Sequence, residues 1–403
     1  MTISPYQAWS MWAVASLFYA YQYVLRVLPN IIMPDLLTHF NTNAMEFGQF
    51  AGLYYIGYAG AHIPLGIWLD RTSPKIVIPI CIILTVTGIA PLLVSDTMAA
   101  ANIGRFIMGI GSSGAILGAF KVIRLGFPEN QFNRMLGLCV TVGLLGALYG
   151  GLPVKHLLET NHWQTVVLYF CWIGVALAVL AKVLIPKAHK ATVVTNNIMS
   201  DITQVLKNKS VIIVCVCSGL MVGPLEGFAD VWGAGFLQSL YNVPATNAAG
   251  MTSLIFLGMC FGAPGLTYLA DRLGTHINVI IVSGLFMMAV FIAMLMGLGT
   301  PELISILLTA VGVCCAYQII GIYVASTYVR ERLVGLTTAV ANMIIMMFGY
   351  VFHSTIGLLM GAHQHDGNFD PGQYQFGLSV IPVALGIAVI GFAIQKCKKK
   401  PQE

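Results

Sequence analysis

The sequence predicts an all-α membrane protein, with twelve transmembrane helices in two six-helix halves and both termini cytoplasmic. Three observations predict it. The 403 residues are 58% hydrophobic and only 9% charged, with a mean hydropathy of +0.83, where a soluble domain carries about 25% charged residues. The apolar residues gather into twelve runs, each long enough for a span of about 20 residues. The basic residues lie on one side of those runs. With the N-terminus inside, only Lys155 of the 20 falls in an outside loop, and only Arg26 and Arg105 fall within spans. That bias sets the orientation and requires an even number of spans.

The spans are expected at 9–36, 46–69, 75–95, 97–123, 134–157 and 163–186 in the first half. In the second half they are expected at 210–240, 246–269, 277–299, 302–328, 333–360 and 373–396. Runs longer than the minimum imply tilt or protrusion. Span one holds Arg26 and a kink-forming Pro29. Span two ends in 64-PLGIWLDRTSPK-75, and span eight ends in 264-PGLTYLADRLG-274. Each ends on Asp-Arg, and Asp70 and Asp271 stand 201 residues apart, so the halves repeat. Gly104, Gly109, Gly111, Gly114 and Gly118 thin the faces of span four for close helix packing. The basic, polar break 187-KAHKATVVTNNIMSDITQVLKNKS-210 separates the halves, giving units of 1–186 and 210–403 about a linker of 187–209. Its end from Ser200 to Lys207 suits a short amphipathic helix, with Ser200 or Asp201 as N-cap.

Several function classes are excluded. The basic residues form no patch interleaved with aromatics, so nucleic acid is not an expected partner. Eight of the nine cysteines lie inside apolar runs, where a disulfide framework or zinc site is not expected. The outer loop 363-HQHDGNFD-370 offers scattered ligand types without fixed geometry, and is read as solvated rather than metal-binding. No P-loop, nucleophile elbow or metal-spaced helix motif is present, so neither an enzyme nor built-in ATP hydrolysis is expected, and no cofactor. No cleavable leader is expected, because the start lacks a basic region and the first apolar run is too long.

Charge inside the spans marks the candidate site. An arginine at a membrane-helix centre costs about 2.5–3.5 kcal/mol on insertion scales. Arg26 lies about ten residues from the outer end of its span, roughly 15 Å deep at 1.5 Å per residue. It is expected to face water and to meet an anion, either a substrate carboxylate held by its fork or an acid of span seven. Glu226 and Asp230 are those acids. They are four residues apart on one helix face, and are candidates for carrying protons or binding a substrate amine. Tyr19, Gln22 and Tyr23 share the Arg26 neighbourhood in span one. Tyr54, Tyr58 and His62 recur every four residues in span two, with His62 a candidate proton relay. Span ten adds Tyr317, Gln318 and Tyr323, and span eleven adds Asn342 and His353. Taken alone, each of these is read first as an interhelical hydrogen-bonding residue, with a place in the cavity as the alternative.

The chain resembles the major facilitator superfamily over essentially its whole length. The stretch 66-GIWLDRTSPK-75 is similar to that family's loop signature Gly-x-x-x-Asp-Arg-x-Gly-Arg-Lys, with Ser73 and Pro74 departing from it. The stretch 105-RFIMGIGSSG-114 is similar to the span-four signature Arg-x-x-x-Gly-x-Gly. The stretch 127-FPENQFNRMLG-137 looks like the turn after span four in organic-anion and organophosphate transporters. The resemblance implies that Arg26 binds the substrate anion and that Arg105 orders the helices. It also implies that Asp70 and Arg71 form a cytoplasmic latch, with Asp70 at the N-terminus of span eleven and Arg71 pairing with an acid such as Glu129. Asp271 and Arg272 would play a weaker counterpart. Glu226 and Asp230 replace the second arginine of organophosphate exchangers, which argues against a phosphate ester. The stretch 146-GALYGG-151 has Ala147 where the antiporter signature has Pro, which favours import.

Together these features lead to an expected secondary active transporter of the inner membrane, a monomer in the lipid bilayer. It would move an amino acid, short peptide or similar carboxylate by alternating access, coupled to protons, with sodium as the alternative ion. A carboxylate-siderophore importer or an organophosphate exchanger is the alternative within transport. A membrane sensor that does not transport is the alternative outside it.

Overall fold

The computed structural model describes residues 4–187, 198–361 and 369–398; the loop 363–370 falls mostly outside them. The described chain is helical throughout, without strands. It forms two compact units. One comprises 1–42 and 53–194, and the other comprises 43–52 and 195–403.

The first unit begins with α1 (Pro5–His39), started by a capping box between Ser4 and Gln7 and by Pro5 in its first turn. Pro29 and Pro34 lie inside α1, and Ile32 leaves helical geometry at φ −106° and ψ 16°. Then follow α2 (Ala44–Arg71), α3 (Pro74–Ile89), the one-turn α4 (Pro91–Val94), α5 (Met98–Gly126), α6 (Phe132–Thr160) and α7 (Trp163–Leu184). The start of α2, Ala44 to Gly52, belongs to the second unit, where Gly48 lies against the His353 carbonyl.

The second unit holds α8 (Ile198–Lys207), α9 (Lys209–Leu220), a π-helical segment (Gly223–Trp232) and α10 (Gly233–Tyr241). It continues with α11 (Ala245–Leu273), α12 (His276–Leu295), α13 (Pro301–Cys315), α14 (Tyr317–Ser326) and α15 (Val334–Met360). It ends with α16 (Pro371–Leu378) and α17 (Val380–Lys398). A helix is present before span seven as α8, but it already runs from Ile198, so Ser200 and Asp201 lie inside its first turn instead of capping it. Its Asp201 accepts a 3.0 Å bond from Arg332 Nη2. Spans three, seven, ten and twelve, expected as continuous helices, are broken: α3–α4, α9–π–α10, α13–α14 and α16–α17.

Ten helical runs among the described residues are long and apolar enough to cross a membrane. α1 and α2 are long enough, at 35 and 28 residues, but are not in that set. Gln22, Arg26 and the tyrosines dilute α1, and the tyrosines, His62 and glycines dilute α2. These two less apolar helices carry Arg26 and the Tyr54–Tyr58–His62 stripe.

The internal repeat extends to backbone packing. In the first unit, a Cβ on Gly57 would overlap the Phe106 carbonyl, and one on Gly109 would overlap the Tyr54 carbonyl. In the second unit, Gly258 meets the Thr309 carbonyl and Gly312 meets the Ile255 carbonyl in the same reciprocal way. Gly57 and Tyr54 map onto Gly258 and Ile255 at an offset of 201, the same offset that relates Asp70 to Asp271. Gly109 and Phe106 map onto Gly312 and Thr309 at an offset of 203. Each unit thus clamps its second and fourth spans backbone to backbone, which only glycine permits.

Candidate functional site

The first unit builds a polar, aromatic cluster around α1, α2 and α5. Arg26 is 5% exposed. Its guanidinium carbon lies 5.0 Å from the Tyr23 ring centre and 5.2 Å from that of Tyr55, both within cation–π range. Tyr19 packs edge-on against Tyr23 at 5.2 Å. The Tyr54 hydroxyl donates to Gln22 Oε1 at 2.5 Å, tying α2 to α1. Along α2, Tyr54 leads to Tyr58 at 6.0 Å, and Tyr58 stacks on His62 at 5.6 Å and 26°. His62 is buried, and its Nδ1 has no hydrogen-bond partner among the described residues. The structure thus brings together Tyr19, Gln22, Tyr23, Arg26, Tyr54, Tyr58 and His62, and adds Tyr55.

Arg105 lies behind this cluster and is fully enclosed. Its Nη1 donates to the Leu25 carbonyl and its Nη2 donates to the Arg26 carbonyl, each at 3.0 Å. Its guanidinium also covers the Tyr54 ring at 4.9 Å. A helical carbonyl at 25 would take the amide hydrogen of residue 29, and Pro29 has none. Arg105 supplies the donor that Pro29 lacks, next to Arg26.

The second unit presents the opposite charge. Glu226 and Asp230 are each 1% exposed and lie on the π-helical segment, all ten residues of which are buried. π-turns are rare and recur at functional sites, and interrupted membrane helices recur where transporters bind. α9 stops at Leu220, and the Glu226 amide reaches back to the Val222 carbonyl at 2.8 Å. The Tyr317 hydroxyl donates to the Ser218 carbonyl at 2.7 Å, where α9 ends. That bond commits the Tyr317 hydroxyl to the backbone. Gln318, one residue on, is buried with Nε2 unpartnered among the described residues. Tyr323 does not join them: it is 52% exposed and its ring meets His276. Asn342 is partly buried in α15, and His353 is fully buried there.

Among the described residues the buried acids and bases, histidines aside, are Arg26 and Arg105 in one unit and Glu226 and Asp230 in the other. The repeat offset of 201 carries Arg26 to Gly227, one residue from Glu226. The same offset carries Tyr54, Tyr58 and His62 to Ile255, Met259 and Ala263. The polar stripe therefore belongs to the first unit alone, and the carboxylates belong to the second.

The Asp-Arg turns make the following pairs. Asp70 pairs with Lys121 of α5, Oδ1 to Nζ at 3.1 Å. Arg71 and Glu129 form no ion pair among the described residues; Glu129 is exposed on a short 3-10 turn after α5, while Lys121 points at the α2 end. Asp271 pairs with His276 at 2.9 Å, and Arg272 is exposed. No group of three or more metal-ligating side chains occurs among the described residues.

No curated protein matches the chain in sequence. Solved structures match over nearly all of it. The nucleoside transporter NupG has a TM-score of 0.75 at 16% identity, covering 98% of this chain and 100% of its own. An inward-facing, occupied bacterial homologue of the human lysosomal transporter Spinster has a TM-score of 0.74 at 14% identity, covering 98% and 97%. A D-xylose–proton symporter has a TM-score of 0.70 at 14% identity, covering 94% and 96%. At such identities the likeness carries the fold. The family model for the Major Facilitator Superfamily matches residues 13–354, a stretch that takes in Arg26, both Asp-Arg turns and both glycine clamps. The chain belongs to that superfamily and is a membrane transporter, not an enzyme.

Proposed function

We propose that the protein is a proton-coupled importer of a small organic anion or zwitterion, an amino acid, short peptide or similar carboxylate. It would work by alternating access in the inner membrane as a monomer, with twelve spans that include α1 and α2 and with both termini cytoplasmic. One observation carries the proposal. At repeat-related positions in the first span of each unit, one unit buries Arg26 and the other buries Glu226 and Asp230. Buried intramembrane charges mark substrate and ion pathways. The asymmetry divides the roles. Arg26, with Tyr19, Gln22, Tyr23, Tyr54 and Tyr58, is the side that holds a carboxylate, while Glu226 and Asp230 carry the proton or meet a substrate amine. His62, stacked below Tyr58, is a proton relay in this scheme. Tyr317 and Gln318 contribute from α14. Asp70, Arg71, Glu129, Asp271 and Arg272 act in gating rather than in recognition.

The test is a thermal-shift screen of the purified full chain in detergent against amino acids, dipeptides, di- and tricarboxylates, sugar phosphates and a carboxylate siderophore. Wild type and Arg26→Ala are run together. A ligand that binds the folded state raises the melting temperature by mass action. An amino acid or monocarboxylate that stabilises wild type but not the variant supports the proposal. Stabilisation by a sugar phosphate or tricarboxylate, or a shift that survives in Arg26→Ala, refutes the substrate assignment.

A further inference from the structure

The two Asp-Arg turns are built alike and paired differently. In the first unit Asp70 takes a permanent cation, Lys121 of α5. The repeat offset of 203 carries Lys121 to Val324 of α14, so the second unit has no lysine at that place. Its acid, Asp271, takes His276 instead, at the position that the offset of 201 relates to Lys75. Asp271 lies in the last turn of α11, and Gly274 closes that helix in the left-handed region at φ +62°. His276 is the first residue of α12. The pair spans the corner, with the acid close to the positive end of α12 and the histidine close to the negative end of α11. The His276 ring also packs on Tyr323 of α14, 4.9 Å between centres. α14 is the second piece of the broken tenth span and starts with Tyr317 and Gln318.

We propose that His276 is a positioning residue that clasps α14 to the α11–α12 corner when protonated and loosens it when neutral. Histidine is the side chain whose charge changes within the physiological pH range. A protonated ring makes a charge-assisted bond to Asp271 and a cation–π contact with Tyr323. A neutral ring keeps only an ordinary hydrogen bond and a stacking contact. The sign follows: the clasp needs the protonated ring, so it is favoured as pH falls and lost as pH rises. Asp271 from α11 and Tyr323 from α14 are the titratable groups that touch His276. α13 and α17 also pack on α12, and α17 carries the exposed Lys396 near its C-terminal end; neither helix makes an ion pair with His276 among the described residues. Arg272, beside Asp271, is exposed and has no partner among the described residues. This clasp deepens the transport proposal by making the tenth span answer to the pH at the Asp-Arg side, the cytoplasmic side in the proposed orientation.

The experiment is amide hydrogen exchange on the full-length protein in nanodiscs, read over α14 at about pH 6 and about pH 8 and corrected for intrinsic exchange. In wild type, α14 is expected to be about two- to fivefold more protected at the lower pH, the range an exposed ion pair supplies. His276→Gln and Asp271→Asn are each expected to abolish that difference. His276→Lys is expected to hold α14 protected at both pH values, as a permanent cation would. Equal protection of α14 at both pH values in wild type, or a pH difference that persists in His276→Gln, overturns the proposal. If α14 exchanges too slowly to read, melting temperatures of wild type and His276→Gln decide: their gap must widen as pH falls. None of these readouts needs a substrate, so a failed clasp leaves the transport proposal standing, and a failed substrate screen leaves the clasp standing.

Discussion

Arg105 donates to the carbonyl of Leu25, the carbonyl whose helical donor Pro29 removes, and its second Nη donates to the neighbouring carbonyl of Arg26. A kink that would leave a buried acceptor open is thereby closed by a charge from α5. The Tyr54 ring fills the guanidinium's face, and Tyr54 in turn bonds Gln22. The backbone that carries Arg26 is thus fixed by a buried side chain of α5.

This linkage predicts non-additivity. Arg105→Lys keeps the charge but cannot bond two successive carbonyls, and should destabilise the protein by about 1.5–3 kcal/mol, the worth of a charged hydrogen bond. Pro29→Ala restores an amide donor for Leu25, so Arg105→Lys should cost less in that background. A double-mutant cycle on detergent-solubilised protein should show a coupling of about 0.5–3 kcal/mol. Additive effects would mean that Arg105 does not stand in for the missing amide.

The rings around Arg26 give a second prediction. Tyr55→Phe keeps the face toward the guanidinium, whereas Tyr55→Leu removes it. Cation–π contacts are worth about 0.5–2 kcal/mol. Tyr55→Leu should therefore weaken binding of the ligand found in the thermal-shift screen by about two- to thirtyfold, while Tyr55→Phe should bind close to wild type. The dissociation constants of the three proteins, measured calorimetrically, check it.

The glycine clamps predict a structural effect with a functional readout. Gly109→Ala would push a methyl group into the Tyr54 carbonyl, and Gly312→Ala would do the same at Ile255. Overpacking of this kind costs about 1–3 kcal/mol. Both variants should melt earlier by similar amounts. Only Gly109→Ala should also weaken ligand binding, because Tyr54 belongs to the polar cluster and Ile255 replaces it with an apolar side chain. Equal loss of binding in both would place recognition in both repeats.

These residues differ in how far they could be read in advance. Arg26, Glu226 and Asp230 stand out in sequence because a charge in an apolar run is costly, and Asp70 and Asp271 because they recur at a fixed offset. Pro29 announces a kink, but its consequence at Leu25 is invisible, since a backbone carbonyl has no letter and its donor is 80 residues away. The break in span seven is hidden for a related reason. From Lys209 to Tyr241 the run is apolar enough to be one span, and Gly223-Pro224 is the one local sign that the helix changes register. Tyr55 lies one position off the stripe of Tyr54 and Tyr58, so spacing alone assigns it to another face. Lys121 is not legible as the partner of Asp70, because pairing between α2 and α5 depends on the Gly57 and Gly109 contacts, which only the folded backbone reveals.

Surface pairs and buried charges should separate in effect. The Asp70–Lys121 pair has an Asp70 side chain two-thirds exposed. Such pairs are worth about 0.2–1 kcal/mol, so Lys121→Gln should barely move the melting temperature. If the turn gates, it should still change the initial rate of uptake into proteoliposomes while leaving ligand affinity near wild type. An unchanged rate would reduce the pair to a solvated contact.

Glu226 and Asp230 make the decisive prediction about energy coupling. Both are buried on one short π-helical segment of a helix broken on its N-terminal side. In proteoliposomes with an imposed inward proton gradient, Glu226→Gln or Asp230→Asn should abolish accumulation. The same variants should retain exchange of labelled for unlabelled substrate, since counterflow needs binding and the conformational cycle but no net proton movement. A variant that loses both has lost binding, which would assign that acid to the substrate amine. Accumulation that persists in both variants would remove the acids from coupling. The proton would then have to be carried elsewhere, and His62, with its unpartnered buried Nδ1 stacked below Tyr58, would be the next residue to change.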